Sequence, residues 1–136
     1  MSLFSFSGKR PENLGVNQGQ LLACPATPNC ACSQADSGDK EHFIAPIVSN
    51  KAPGDAIASL KAIIEGMERS TINKVSENYL YAEFSSKLMG FVDDIEFYAE
   101  PSGQVQVRSA ARLGKSDLGV NRKRVETIRE KLKVDS

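Results

Sequence analysis

The chain reads as an α+β fold, an antiparallel sheet of about five strands with helices packed on one face and an irregular N-terminal arm. The element order is β-α-β-β-β-β-α. Two observations predict it. Apolar residues recur at three- and four-residue spacing in 57–67 and again in 125–132, which marks two amphipathic helices. Between these stretches the apolar period drops to two in successive segments separated by turn residues.

With 136 residues, 40% of them hydrophobic and 25% charged, one domain can bury a core without a metal or disulfide staple. Residues 1–41 form the arm and 42–136 the organised domain. In the arm, Gly8, Pro11, Gly15, Gly19, Pro25, Pro28 and Gly38 break the chain every few residues, and neither period survives. Its one concentrated feature is CPATPNCACSQ at 24–34, where two prolines and a Pro-Asn pair demand turns.

The segment 42–48 is short, apolar and β-branched, and Pro46 places it at an edge. Pro53 suits the first turn of a helix whose apolar face is Ile57, Leu60, Ile63, Ile64 and Met67, ending near 66–69. Strands follow at 70–75, 78–85, 91–99 and 104–112. Leu80, Ala82 and Phe84 share one face, as do Phe91, Asp93, Ile95, Phe97 and Ala99. The last helix runs over about 120–133, with Lys and Arg in its final turns.

The turn at Pro101, Ser102 and Gly103 pairs Ala99 with Val105, Phe97 with Val107, Ile95 with Ser109 and Asp93 with Ala111. Glu96 then meets Arg108 on the other face. A looser turn over 86–90 pairs Phe84 with Phe91, Ala82 with Asp93 and Leu80 with Ile95. The resulting order resembles the TATA-binding-protein-like and helix-grip folds, in which a C-terminal helix lies across a curved sheet. A fold-level likeness carries no function.

This register puts Asp93 on the core face, between Ala82 and Ala111. A buried carboxylate needs a partner, and Arg112, Asn121 and Arg122 are within reach along the chain. Either Asp93 ties the sheet end to an Arg, or it lines a ligand pocket. The stretch 109–126 (SAARLGKSDLGVNRKRVE) is the densest polar run. Ser116 or Asp117 can cap the last helix, whose N-terminal amides favour an anion, with Arg112, Lys115 and Arg122 near. Its GKS lacks the upstream glycine of a phosphate loop.

Formal net charge is zero, which argues against non-specific nucleic-acid binding. The charge is unevenly spread, with six acids and one Lys in 77–103 against nine basic residues and three acids in 108–133. Such blocks are expected to pair in space. Tyr79, Tyr81 and Tyr98 share the face opposite Asp93 and are expected to be exposed there, where an acid-rich strand disfavours nucleic-acid stacking. No run of about 18 apolar residues marks a membrane span, and the N-terminus lacks the pattern of a secretory signal. A cytoplasmic location is expected, or a plastid one if a transit peptide has been removed.

Cys24, Cys30 and Cys32 match no standard metal spacing, and His42 is the single histidine. Free thiols and a Cys24–Cys30 disulfide both remain open. Asp93 and Asp94 point to opposite faces and form no glycosidase-type pair. No nucleophile, base and acid assemble, so catalysis is not expected, nor a cofactor or metal.

CPATPNCACSQ, the Phe-x-Asp-Asp strand and the closing run Arg-Ser-x-x-Arg-x-Gly-x-x-Asp-x-Gly-x-Asn-x-x-Arg together resemble the uncharacterised family known as domain of unknown function 1499, over about 21–132. The matching positions are Cys24, Pro25, Pro28, Asn29, Cys30, Ser33 and Gln34; Asp93 and Asp94; and Arg108, Ser109, Arg112, Gly114, Asp117, Gly119, Asn121 and Arg124. Cys32 stands where many members have Ser, so it could compete in a disulfide. The resemblance implies no activity, but it does imply that the opening and closing loops meet in space.

The leading expectation is a small soluble domain that holds a small anionic or amphipathic ligand between the sheet and the closing loop. Asp93, Arg108, Ser109, Arg112, Ser116, Asp117, Asn121 and Arg122 would supply its polar contacts. The alternatives are a protein-interaction module using the basic C-terminal segment, and a thiol-dependent redox protein using Cys24 and Cys30.

Overall fold

A computed structural model of the chain describes residues 8–87, 90–114 and 117–135. It contains β1 (Cys30–Cys32), β2 (Ile47–Val48), α1 (Pro53–Glu65), β3 (Ser70–Val75), β4 (Tyr79–Ser85), β5 (Val92–Ala99), β6 (Gln104–Ala111) and α2 (Val120–Asp135). From β2 onward this is the predicted order. The six strands form one antiparallel sheet in the order β1-β6-β5-β4-β3, with β2 also pairing β6. Of the predicted strand at 42–48, Ile47 and Val48 form β2, just beyond Pro46, which has no N–H to give a ladder, while Phe43 makes a single parallel bridge to Cys32.

The sheet gains a strand from the arm. Cys30, Ala31 and Cys32 pair with Ala110, Ser109 and Arg108, and β2 continues the same edge of β6 at Val105 and Gln104. Three residues are too few to carry a readable period, so this strand is invisible to sequence patterning.

The β5–β6 register is the predicted one, including Asp93 opposite Ala111 and Glu96 opposite Arg108. The β4–β5 register differs. Phe84 pairs with Asp93, Ala82 with Ile95 and Leu80 with Phe97. Both alternatives put the same side chains on the same face, so hydrophobic alternation cannot choose between them. The turn chooses: Ser86 N–H donates to the Phe91 carbonyl at 2.8 Å, and Phe91 N–H donates to the Ser86 hydroxyl at 2.9 Å.

Helices α1 and α2 cover one face. Ile57, Leu60 and Ile64 of α1, with Val125, Ile128 and Leu132 of α2, close over Leu80, Ala82, Phe84, Ile95, Phe97, Val105 and Val107, all buried. The arm covers the other face, where Leu14 and Leu21 pack on Tyr79, Tyr81 and Tyr98. Tyr79 and Tyr81, read from the sequence as an exposed surface, are therefore buried at 6% and 5% exposure.

Candidate functional site

The helix-covered and arm-covered faces meet different chemistry at the same end of the sheet. On the helix side, Arg124 of α2 reaches back to β5. Its Nη1 donates to Asp93 Oδ2 at 2.7 Å and to Asn121 Oδ1 at 3.3 Å, and the guanidinium lies over the Phe84 ring at 4.6 Å. Among the described residues, Nε and Nη2 of Arg124 have no acceptor. Beneath it the Ser109 hydroxyl donates to Asn121 Oδ1 at 2.5 Å, and both residues are buried.

Asp117 caps α2. Its Oδ1 accepts Gly119 N–H at 2.8 Å, and its Oδ2 accepts the Asn121 backbone N–H at 3.0 Å and side-chain amide at 2.8 Å. Burial alone would raise the Asp117 pKa, but these bonds hold it below the usual carboxylate range. The N-terminal amides that could have received an anion are thus partly taken by the protein's own carboxylate.

Between these groups lies a cavity of about 230 Å³. Phe91, Val92, Ala111, Leu113 and Val120 give its apolar wall, and Ser86, Asp93, Asp117 and Arg124 its polar one. Phe91 and Leu113 stand at the mouth, 41% and 40% exposed. The far wall is held by the arm. Asn29, 3% exposed, donates through Nδ2 to the Gly114 carbonyl at 2.7 Å and the Leu113 carbonyl at 3.4 Å, while its own carbonyl accepts Ala111 N–H at 3.0 Å. Opening and closing loops therefore meet. At Gly8 (φ 73°) the arm passes so close that an added Cβ would lie 2.9 Å from Leu113 Cγ.

On the arm side, Arg112 grips Asp94 with both ends of its fork, Nε to Oδ2 and Nη2 to Oδ1, each at 2.8 Å. The bonds to Asp94 raise the Arg112 pKa further. Its Nη2 also reaches Glu83, which Arg10 of the arm holds at 2.7 Å. Tyr81 donates to Asp94, and burial followed by that bond raises its pKa. Burial alone would raise Glu83, but the bonds from Arg10, Arg112 and Tyr81 lower it.

Farther along the strand, Glu96 accepts from Tyr79 at 2.5 Å and from Gly15 N–H at 2.7 Å, and burial raises its pKa. Glu96 Oε1 and Arg108 Nε and Nη1 are buried without a hydrogen-bond partner among the described residues. Unmet groups of this kind are costly, so this face owes its stability to the Asp94 and Glu83 bonds rather than to Arg108.

Asp93, Ser109, Asp117 and Asn121 therefore come together, and Arg124 joins them. Arg112 and Arg108 do not. Ser109 and Ala111 of β6 face the helices, so Arg108 and Arg112 face the arm. Arg112 meets Asp94 rather than Asp93, and Asp93 is tied to Arg124 instead. Arg122 reaches away to the Glu41 carbonyl at 3.4 Å. Ser116 and Lys115 lie outside the described residues. Among the residues sequence reasoning left out of the site, Arg124 and Asn29 stood in the closing and opening motifs. Glu83 left no local signal, because its partners Arg10 and Arg112 are distant in sequence.

Cys24 and Cys30 are joined in a disulfide, and Cys32 is a buried thiol whose pKa burial raises. Both ring nitrogens of His42 are engaged, Nδ1 by Asp39 Oδ2 at 2.7 Å and Nε2 by the Thr27 carbonyl at 2.8 Å. No helix among the described residues is long and apolar enough to cross a membrane. A family model described as "Protein of unknown function (DUF1499)" matches residues 20–132, most of the chain. No curated protein matches it.

Proposed function

We propose that this chain, which belongs to the DUF1499 family, is a binding domain for a small amphipathic molecule, taken up in the cavity between the end of the sheet and the closing loop. One observation carries the reading. An apolar wall open at Phe91 and Leu113 adjoins a guanidinium, that of Arg124, with two nitrogens that have no acceptor among the described residues. A ligand with a short apolar body and a hydrogen-bond acceptor complements both features. The cavity lies below the usual range of about 300–1,000 Å³ for drug-sized ligands, which favours a small occupant.

A neutral acceptor such as an amide suits the site better than a full anion. Asp93 already neutralises Arg124, and Asp117 occupies the helix end. Binding rather than catalysis is favoured because the single histidine is engaged at both nitrogens, away from the cavity. A docking face built from the basic C-terminal segment draws less support, since Arg124, Arg129 and Lys133 each meet an acid within the chain.

Titration with phenylacetamide and phenylacetate, followed by amide NMR shifts, tests the proposal. Saturable shifts at Ala111, Gly114 and Val120 are expected, stronger for the amide, and they should vanish in Ala111→Phe, which fills the cavity. Native mass spectrometry of protein from its own host should show a retained small molecule that Ala111→Phe loses. No saturable shift together with no retained mass would remove the reading.

A further inference from the structure

The cavity wall is held by a part of the chain that a disulfide closes. The backbone at Leu113 and Gly114 has one hydrogen-bonding partner among the described residues, the Asn29 side chain. Asn29 also fixes the start of that wall through its carbonyl and the Ala111 N–H. It adjoins Cys30, inside the short loop that the Cys24–Cys30 disulfide closes over a separation of six residues. Within that loop Thr27 Oγ1 donates to Asn29 Oδ1 at 2.8 Å, which orients the amide so that its NH2 faces the closing loop. The Thr27 carbonyl is in turn held by His42. The disulfide thus closes a small ring of residues whose ordered conformation presents one amide to the cavity wall.

The bond can also be reached. Cys24 is half-buried and lines a second cavity, of about 290 Å³, on the arm side with Gln20, Ala23 and Gln34, whereas Cys30 is 2% exposed. An incoming thiolate meets the Cys24 sulfur first, and Cys30 is the leaving group. Cys32 lines the same cavity, but burial holds it as the thiol, which is a poor internal competitor.

We propose that the Cys24–Cys30 disulfide is a redox-controlled latch on the ligand cavity, opened by a dithiol reductant. One thiolate of the reductant attacks Cys24 Sγ and the S–S bond breaks. Its electron pair goes to Cys30 Sγ, which takes up a proton. The second thiol of the reductant then attacks the mixed disulfide and releases Cys24 as a thiol, so the protein gains two electrons and two protons while the reductant becomes a disulfide. With the ring open, 24–30 samples more conformations, the Asn29 amide is no longer presented, and the wall at 111–114 loosens. The effect on ligand binding rests on the function proposed above, whereas the latch can be tested without any ligand.

Amide hydrogen exchange in the oxidised protein and in protein reduced with a dithiol tests it. Exchange at Ala111, whose N–H is held by Asn29, should rise at least about tenfold on reduction, while Ile95 and Phe97 in β5 stay unchanged. Asn29→Ala removes the side-chain amide but keeps the carbonyl that holds the Ala111 N–H, so with the disulfide intact it should move the Leu113 and Gly114 amide signals without itself releasing Ala111. Equal rates in the two redox states, acceleration spread evenly over β4 and β5, or Leu113 and Gly114 signals unchanged in Asn29→Ala would each overturn the latch. Phenylacetamide should bind at least about fivefold more weakly to the reduced protein. If exchange responds to reduction but the amide binds neither state, the latch stands and the ligand reading falls.

Discussion

Asp93 and Asp94 are neighbours on one strand, and the sheet sends them to opposite fates. Asp94 is 1% exposed under the arm and takes both ends of the Arg112 fork plus the Tyr81 hydroxyl. Asp93 faces α2, shares one Arg124 nitrogen, and borders a cavity. The difference lies in what covers each face. The arm is irregular backbone that can drop Arg10, Gly15 and Leu21 wherever a strand needs a partner. A helix is rigid and offers only the side chains its turn spacing brings round, so where α2 begins, the sheet end is left incompletely filled. One face has spent its charges on holding the fold, and the other keeps a donor in hand.

This contrast predicts a graded set of losses. Arg112→Ala strands a buried Asp94, so the unfolding free energy in urea should fall by about 3–5 kcal/mol; a loss below about 1 kcal/mol would mean that the arm-side network holds nothing together. Next comes the paired change Cys24→Ser with Cys30→Ser. The short ring it opens should cost about 2 kcal/mol by denaturant titration, and an unchanged midpoint would show the arm docks without its staple. Asp93→Asn keeps the shape but loses the charge pair, and about 1 kcal/mol is expected. A loss as large as that of Arg112→Ala would erase the distinction between the faces.

The smallest effect is a pH dependence. Asp39, then the Thr27 carbonyl, raise the pKa of His42, because both ring nitrogens meet acceptors that only the imidazolium can satisfy together. Its contribution is complete below about pH 6.5 and is lost as pH rises through the folded-state value. The melting temperature of wild type should therefore decline from about pH 6.5 upward relative to His42→Gln. Parallel profiles would place the proton elsewhere.

Much of the cavity could be read from the chain and part could not. Ser109, Asp117 and Asn121 sit together as expected because all three lie near the junction of β6 and α2, where sequence distance and spatial distance agree. The two charge blocks do pair, through Arg112 with Asp94 and Glu83 and through Arg124 with Asp93. Proximity along the chain offers Arg112 to Asp93, but strand parity forbids that pair. Asp93 and Arg112 stand on opposite faces. The tyrosines were expected in solvent because nothing local announces that residues 10–21 will return over them.

The amino-acid sequence by itself determined the element order from β2 to α2, the face each strand residue takes, and the β5–β6 register, because periodicity and the tight turn at 101–103 are local and steric. Only the tertiary structure decided the β4–β5 register, the arm strand β1, and which buried carboxylate is satisfied and which borders a cavity. A period of two is blind to a slip of two, and contacts between the arm and the sheet join residues so far apart in the chain that no pattern along it can encode them.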